Sequence, residues 1–400
     1  MCKIYVVDAP CGSGKTTGAI NMIKENPNRR YLFITPFLQE VQRIKEECSE
    51  LKFYEPQEKN TKLNGIHWLL ANKKNIVSTH ALFLNFNDYT LELIRNGDYT
   101  LILDEVASVV ELMEISKKDL NTILDKYGHI EDGLLIWDDL EYEGKFSDIM
   151  NMSLNKCIGI YGNCAVIWCF PIEIFKAFKE VYILTYMFDA QIQKYYYDFY
   201  SVNYKHLYVK KDNGIYCFTD EPQDYKNQYN YQNKIYILDS EKLNSIGDNY
   251  TALSVSWFTK DKQTRNKPLI NTLKNNLYNY FRNITKSSSE YNMWTTFKEF
   301  KSLLRGDGYS RGFLAVNARA TNDYRHKTNL AYCANIFMNP VLKQFFAQKN
   351  IVVNEDKYAL SEMIQWIWRS AIRDNGEINV YIPSSRMRNL LIDWLNSFSK

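Results

Sequence analysis

Lys3-Ile4-Tyr5-Val6-Val7-Asp8, followed at once by Ala9-Pro10-Cys11-Gly12-Ser13-Gly14-Lys15-Thr16-Thr17, decides the fold of this 400-residue chain. An apolar run rich in β-branched and aromatic residues feeds a glycine-bearing loop ending in Gly-Lys-Thr. The amphipathic segment from Thr17 to Lys24 then continues as a helix. That order of strand, loop and helix reads as a phosphate-binding loop. Glycines at 12 and 14 let successive N–H groups turn inward on an anion, and the helix start adds its dipole. Lys15 is placed to reach β and γ phosphates, and the Thr16 hydroxyl to hold Mg²⁺. Gly12, Ser13, Gly14, Lys15, Thr16 and Thr17 form the expected cofactor-binding set. Ala9 stands where the usual pattern has glycine.

Working outward, Arg30 to Thr35 is a second buried strand ending at Pro36, and Leu38 to Cys48 an amphipathic helix. Asn75 to His80 reads as a third strand, with Ala81-Leu82-Phe83 opening a helix. Thr100-Leu101-Ile102-Leu103 is a fourth, ending in the acids Asp104 and Glu105. Strands alternating with helices imply a parallel sheet covered on both faces. An apolar strand that delivers acids at its carboxyl end puts them beside the phosphate loop. There Asp104 suits a Mg²⁺ ligand acting through the ion's water shell, and Glu105 a base for the attacking water. Glu180 to Tyr186 is a further strand ending at Thr185, placed to sense nucleotide state and couple it to the rest of the sheet.

Composition narrows the class. Apolar residues make up 46% of the chain and aromatic residues 15%, thirty of them tyrosine, which excludes a disordered protein and supplies two ordinary cores. The first strand begins too early to leave room for a secretory signal, and no apolar run spans a bilayer; a cytoplasmic protein without a membrane partner is expected. The eight cysteines are irregularly spaced, in keeping with a reducing compartment. Cys157, Cys164 and Cys169 lack CxxC spacing and a nearby histidine, so buried packing is expected rather than zinc. Charge is divided: residues 1–200 carry 21 Lys and Arg against 28 Asp and Glu, residues 201–400 carry 28 against 18. The basic excess is densest between 251 and 350, a surface suited to a polyanion.

Residues 107–150 are acidic and read as helices and a surface excursion. Near residue 200 the character changes: Tyr195-Tyr196-Tyr197 and the Tyr-Lys alternation to Lys211 read as edge strands, and 220–234 as an excursion. The domain boundary is placed there, giving 1–200 and 201–400. In the second half, Ile235–Leu238, Ala252–Phe258 and Arg311–Val316 are expected as strands, Leu269–Arg282 and Trp294–Leu304 as helices. Tyr358–Arg373 is expected as one helix, on which Gln365, Arg369 and Arg373 step by four and share a face. Arginines so placed serve to stabilise charge on a γ-phosphate.

The ordered set resembles the superfamily 2 helicases of the DExD/H-box type. Gly12 to Thr17 is similar to their motif I, Ile34-Thr35-Pro36 to motif Ia, Ser78-Thr79-His80-Ala81-Leu82 to motif Ib, and Asp104-Glu105-Val106-Ala107 to motif II. Leu184-Thr185-Tyr186 sits where motif III belongs, the run Asn317-Ala318-Arg319-Ala320-Thr321-Asn322 resembles motif V, and Gln365 to Arg373 motif VI. The wording of the second half looks most like compact helicase-like proteins of phages and mobile elements of Gram-positive bacteria. The resemblance implies an α/β fold of two RecA-like domains and an ATP hydrolase that moves on or unwinds single- or double-stranded nucleic acid, DNA favoured over RNA. Lys15, Glu105, Gln365, Arg369 and Arg373 would be catalytic; Thr16 and Asp104 would hold Mg²⁺. Thr35, Thr79, Asn317, Arg319 and Asn322 would contact the strand, mostly through phosphates. Replication or defence proteins are the implied partners. Arg369 and Arg373 lie four apart where the family's arginines are three apart, and the motif III segment lacks the usual Ser-Ala-Thr. No adenine-reading segment precedes the first strand, so ATP is expected on the resemblance alone. The alternative is a nucleotide-dependent switch that binds nucleic acid or protein without processive unwinding.

Overall fold

The computed structural model describes residues 2–36, 38–57, 61–162, 165–225, 230–265, 267–318 and 323–397. Cys164, Arg319 and Asn322 lie outside the described residues. The chain forms two compact units, Met1–Gln223 with Asn339–Val353, and Asp224–Met338 with Asn354–Lys400.

In the first unit the apolar runs become β1 (Lys3–Asp8), β2 (Arg30–Thr35), β3 (Ile76–Thr79) and β4 (Tyr99–Asp104). Helix α1 (Lys15–Glu25) follows the glycine loop, and its cap residue Gly14 has φ +84°. Next come five short strands, β5 (Val110–Met113), β6 (Gly128–Glu131), β7 (Leu134–Trp137), β8 (Ile158–Tyr161) and β9 (Ala165–Cys169). The main sheet resumes with β10 (Glu180–Thr185), β11 (Lys205–Asp212) and β12 (Ile215–Thr219). Its order is β12-β11-β1-β10-β4-β2-β3. All neighbours are parallel except the hairpin of β11 and β12. β4 is buried along its whole length and β2 along all but its first residue, which is why they read as continuous apolar runs rather than alternating ones. Because β1 pairs with β10 and β11 instead of β2, the strand order reverses at the loop, the position where open α/β sheets bind ligands.

The acidic stretch after β4 holds helices, as expected, but it is built on a sheet rather than forming a surface excursion. β5 to β9 form an antiparallel sheet of order β5-β9-β8-β7-β6, with its own core of Leu120, Ile123, Leu135, Trp137, Ile158 and Val166. Two helices, Lys117–Lys126 and Ser147–Leu154, accompany it. Tyr195, Tyr196 and Tyr197 are likewise not edge strands: all three are buried within the helix Ile192–Phe199. A helix from far later in the chain, Pro340–Ala347, belongs to this unit, with Phe345 stacked on Phe199 at 4.7 Å between centroids.

The second unit is built on a four-stranded parallel sheet of order β13-β16-β15-β14. These strands are β13 (Ile235–Ile237), β14 (Asn292–Thr295), β15 (Asn329–Tyr332) and β16 (Ile378–Tyr381). Its core gathers Phe258, Tyr280, Phe281, Trp294, Phe300, Tyr309 and Tyr381. Three expectations change here. Ala252–Phe258 is not a strand, because Ser254 accepts the Trp257 N–H as an N-cap and starts the helix Val255–Lys262. Trp294 and Thr295 lie in β14 rather than a helix. Arg311–Val316 holds only a single bridge, Phe313 to Trp294, and the strand lies later, at Asn329–Tyr332. Both units are mixed α/β, with parallel sheets flanked by helices.

The β11–β12 hairpin turns on Asn213 and Gly214, with φ of +48° and +87°. Both angles are positive, as the two-residue turn that matches strand twist requires. Nothing lies within 4 Å of where a Cβ on Gly214 would sit, so Gly214→Ala tests backbone cost alone. The expected outcome is a hairpin weakened by about 1 kcal/mol, read as faster amide exchange across Lys205–Thr219 with the rest of the sheet unchanged. Unaltered exchange in the hairpin would show that the turn is not held by its left-handed geometry.

Candidate active site

The carboxyl ends of the first unit's parallel strands carry most of the residues singled out above. In the glycine loop, Gly12 and Gly14 have φ of +81° and +84°, a region closed to most side chains. Ser13 between them is 3% exposed, and its hydroxyl has no hydrogen-bond partner among the described residues. A buried hydroxyl left unsatisfied costs about 1–3 kcal/mol, and it fits an anion that would accept its proton. Lys15 folds its ammonium onto the loop itself, with Nζ donating to the carbonyls of Ala9 at 2.6 Å and Pro10 at 2.9 Å. Thr17 accepts from an Arg43 guanidinium N–H at 3.3 Å.

The Thr16 hydroxyl lies 3.4 Å from both carboxylate oxygens of Asp104, so the loop and the end of β4 meet at one point. Burial pushes the Asp104 carboxyl up to about 7, and the carboxylates of Glu105 and Glu40 add to the rise against the opposing pull of Lys15 and Thr16. A hydroxyl and a buried acid this close, under the influence of the Glu105 and Glu40 carboxylates, are oxygen donors of the kind that Mg²⁺ takes together with phosphate oxygens and water. Glu105 follows with φ +64°, and its N–H donates to the Leu184 carbonyl at 2.9 Å. That bond fixes the acid's backbone to the end of β10.

Two residues given no role from the sequence tie this edge together. Asp8, at the end of β1, accepts the N–H groups of Met187 at 2.8 Å and Phe188 at 2.9 Å, holding the turn after β10. Burial raises its carboxyl, while those N–H bonds and the charges of Lys15 and His206 oppose the rise. His80 Nε2 lies 2.8 Å from the Asp104 carbonyl and ties the start of the helix His80–Phe83 to the acid strand. An acid closing β1 and a histidine one residue past β3 were visible signals, since carboxyl ends of parallel strands are where sites form.

Thr35 and Thr79 are brought together as directly opposed residues at the ends of β2 and β3. Thr185 pairs with Asp8, and its carbonyl accepts the Ala9 N–H at 3.1 Å, which links the end of β10 to the phosphate loop.

In the second unit, Gln365 is half-buried on the helix Glu355–Ile367, which ends before the two arginines. Arg369 is 4% exposed and Arg373 lies in the short 3₁₀ turn Ala371–Asp374, so the three do not share one helical face. Asn317 is exposed, in a turn.

The architecture is therefore that of an α/β protein whose first parallel sheet gathers a glycine loop, a threonine and two acids at one edge. Residues 110–168 match the model of the YonV middle domain, and 229–395 that of the YonV C-terminal Rossmann-like domain. The first of these spans falls on the antiparallel sheet inserted between β4 and β10. The SPbeta prophage-derived uncharacterized protein YonV of Bacillus subtilis (strain 168) is 47% identical over 416 residues, covering 99% of this chain and 100% of that protein. The chain belongs to the YonV family. Its prophage-derived relative agrees with the phage-like wording of the second half. Among solved structures, Xpd4 of S. tokodaii superposes over 98% of this chain and 94% of its own, with a TM-score of 0.50 and 12% identity. That likeness is one of fold.

Asp104 also generates a pH signature. Folded, its carboxyl keeps a proton up to about pH 7; unfolded, it releases it near the ordinary 3.8. Between those values the folded chain binds more protons, so its stability falls as pH rises through the window and stays reduced above it. Asp104→Asn removes that cost. Thermal unfolding is expected to show the variant matching wild type near about pH 4 and melting above it near about pH 8, by on the order of 1 kcal/mol or more. A variant melting below wild type at the higher pH would contradict the buried-charge account.

Proposed function

We propose that this chain is an ATP-dependent nucleic-acid helicase or translocase of the superfamily 2 type, its two RecA-like domains falling on the two compact units rather than on the 1–200 and 201–400 halves expected from composition. The observation that carries the reading is the meeting of Thr16 with Asp104, beside Lys15 and Glu105, where the strand order of a parallel sheet reverses. In this reading Lys15 exchanges the carbonyls of Ala9 and Pro10 for β- and γ-phosphate oxygens, and the Ser13 hydroxyl gains an acceptor. Thr16 and Asp104 hold Mg²⁺, which when bound neutralises charge on the phosphate oxygens. Glu105 orients the attacking water and takes its proton. Gln365, Arg369 and Arg373 stabilise the transferring phosphoryl group, and Thr185 relays nucleotide state across the sheet. Thr35, Thr79, Asn317, Arg319 and Asn322 contact the nucleic-acid backbone. The basic excess of residues 201–400 supports a polyanionic partner, with DNA preferred and phage replication or defence proteins as associates in a bacterial cytoplasm.

The alternative, a nucleotide-dependent switch without processive unwinding, is favoured by one observation: Arg369 is buried and lies beyond the helix that carries Gln365. Two measurements separate the readings. Purified protein is expected to hydrolyse ATP, faster with single-stranded DNA or RNA, and to displace an annealed strand. Lys15→Ala and Glu105→Gln are each expected to lower turnover by at least about a hundredfold. Stimulated hydrolysis without displacement or translocation selects the switch; a rate indifferent to every polymer sinks the motor.

A further inference from the structure

The structure assigns a base-binding platform to the β11–β12 hairpin, with Tyr216 as the residue against which the base of a bound nucleoside triphosphate packs. This deepens the proposed function and rests on its phosphate-loop reading. Thr17, Asn21 and Lys24 step by four and three along one face of α1, leading away from the loop that would hold the phosphates. Opposite that face stand Gly214, Ile215 and Tyr216, and the two sides enclose a cleft of about 420 Å³. A nucleotide anchored by its phosphates at residues 12–16 therefore projects its ribose and base into a space already walled by an aromatic ring.

The ring is positioned from several directions. A Cβ on Gly14 would stand 2.6 Å from two Tyr216 ring carbons, so the ring lies directly against the phosphate loop. The Asn21 side-chain amide donates to the Tyr216 carbonyl at 2.9 Å, pinning the strand to α1 through the backbone. Phe218, two residues on and on the same face of β12, lies 3.0 Å from where a Cβ on Gly18 would be and stacks on Tyr182. The Lys211 ammonium lies 5.2 Å from the centre of the Tyr216 ring. The ring itself stays half-exposed on the cleft. Tyrosine offers a flat face for any base, and Asn21 and Lys24 add polar groups on the opposite wall.

The test compares Mg·ATP with inorganic Mg·tripolyphosphate, which carries the phosphates and no base, by calorimetric titration of the full chain. Tyr216→Ala keeps the backbone bond to Asn21 and is expected to weaken ATP about tenfold, leaving tripolyphosphate affinity unchanged, with Tyr216→Phe retaining wild-type ATP affinity. Undiminished ATP binding in Tyr216→Ala, or equal loss of both ligands, overturns the platform. Wild-type protein that binds tripolyphosphate as tightly as ATP also overturns it and leaves the phosphate loop standing. Binding of neither ligand removes both readings together.

Discussion

The end of β4 imposes the constraint on which the rest of the first unit depends: a carboxylate is buried among other carboxylates, 3.4 Å from a hydroxyl of the loop it faces. Burying a charge without a partner is costly enough that the group keeps its proton instead. Asp104 does so up to about pH 7, with Lys15 and Thr16 limiting the rise. The ends of β10 and β3 are tied to this point. Asp8 clamps the turn after β10, the Glu105 N–H is bonded to Leu184, and His80 meets the Asp104 carbonyl. An edge tied in this way holds a buried, poorly compensated acid in a fixed position.

Glu105 follows directly on that acid. A glutamate with φ +64° adopts a conformation that side chains with a Cβ take at a cost of order 1 kcal/mol. The turn aims the second acid away from the strand direction that delivers the first. Two adjacent residues on an ordinary strand would point to opposite faces of the sheet. The strand geometry breaks between Asp104 and Glu105, where the Glu105 N–H turns to the Leu184 carbonyl at the end of β10.

How much of this was legible follows from the same physics. β2 and β4 are buried on both faces and β1 buries Ile4, Val6 and Val7, so their apolar runs stand out, and the carboxyl ends of β1 and β4 mark the loop and the acids. The inserted sheet hid itself because its strands are four or five residues long and interrupted by acidic turns. Tyr195 to Tyr197 looked like strand residues by propensity, yet three consecutive buried tyrosines fit a helix enclosed on several sides, and tertiary packing decided it. Ser254 was a readable N-cap masked by the β-branched and apolar residues around it. Asn213-Gly214 between two alternating runs is a strong hairpin signal, and it places Tyr216 beside Gly14, a proximity that no spacing along the chain reveals.

The helix Pro340–Ala347 explains why a domain boundary drawn from composition alone must be incomplete. It starts at Asn339, whose side chain accepts the Val341 N–H, and buries Phe345 and Phe346 in the first unit. Phe345 occupies the space beside Gly159 of β8, where a Cβ would lie 2.7 Å from its ring, and Phe346 packs on Tyr195 of the helix after β10. The inserted sheet and the helix that returns toward β11 are thus joined through a segment well over a hundred residues later. Apolar area buried against those rings contributes on the order of 1.5–3 kcal/mol per side chain. The first unit is therefore complete only once that distant segment has been made, with residues 224–338 of the chain intervening in sequence.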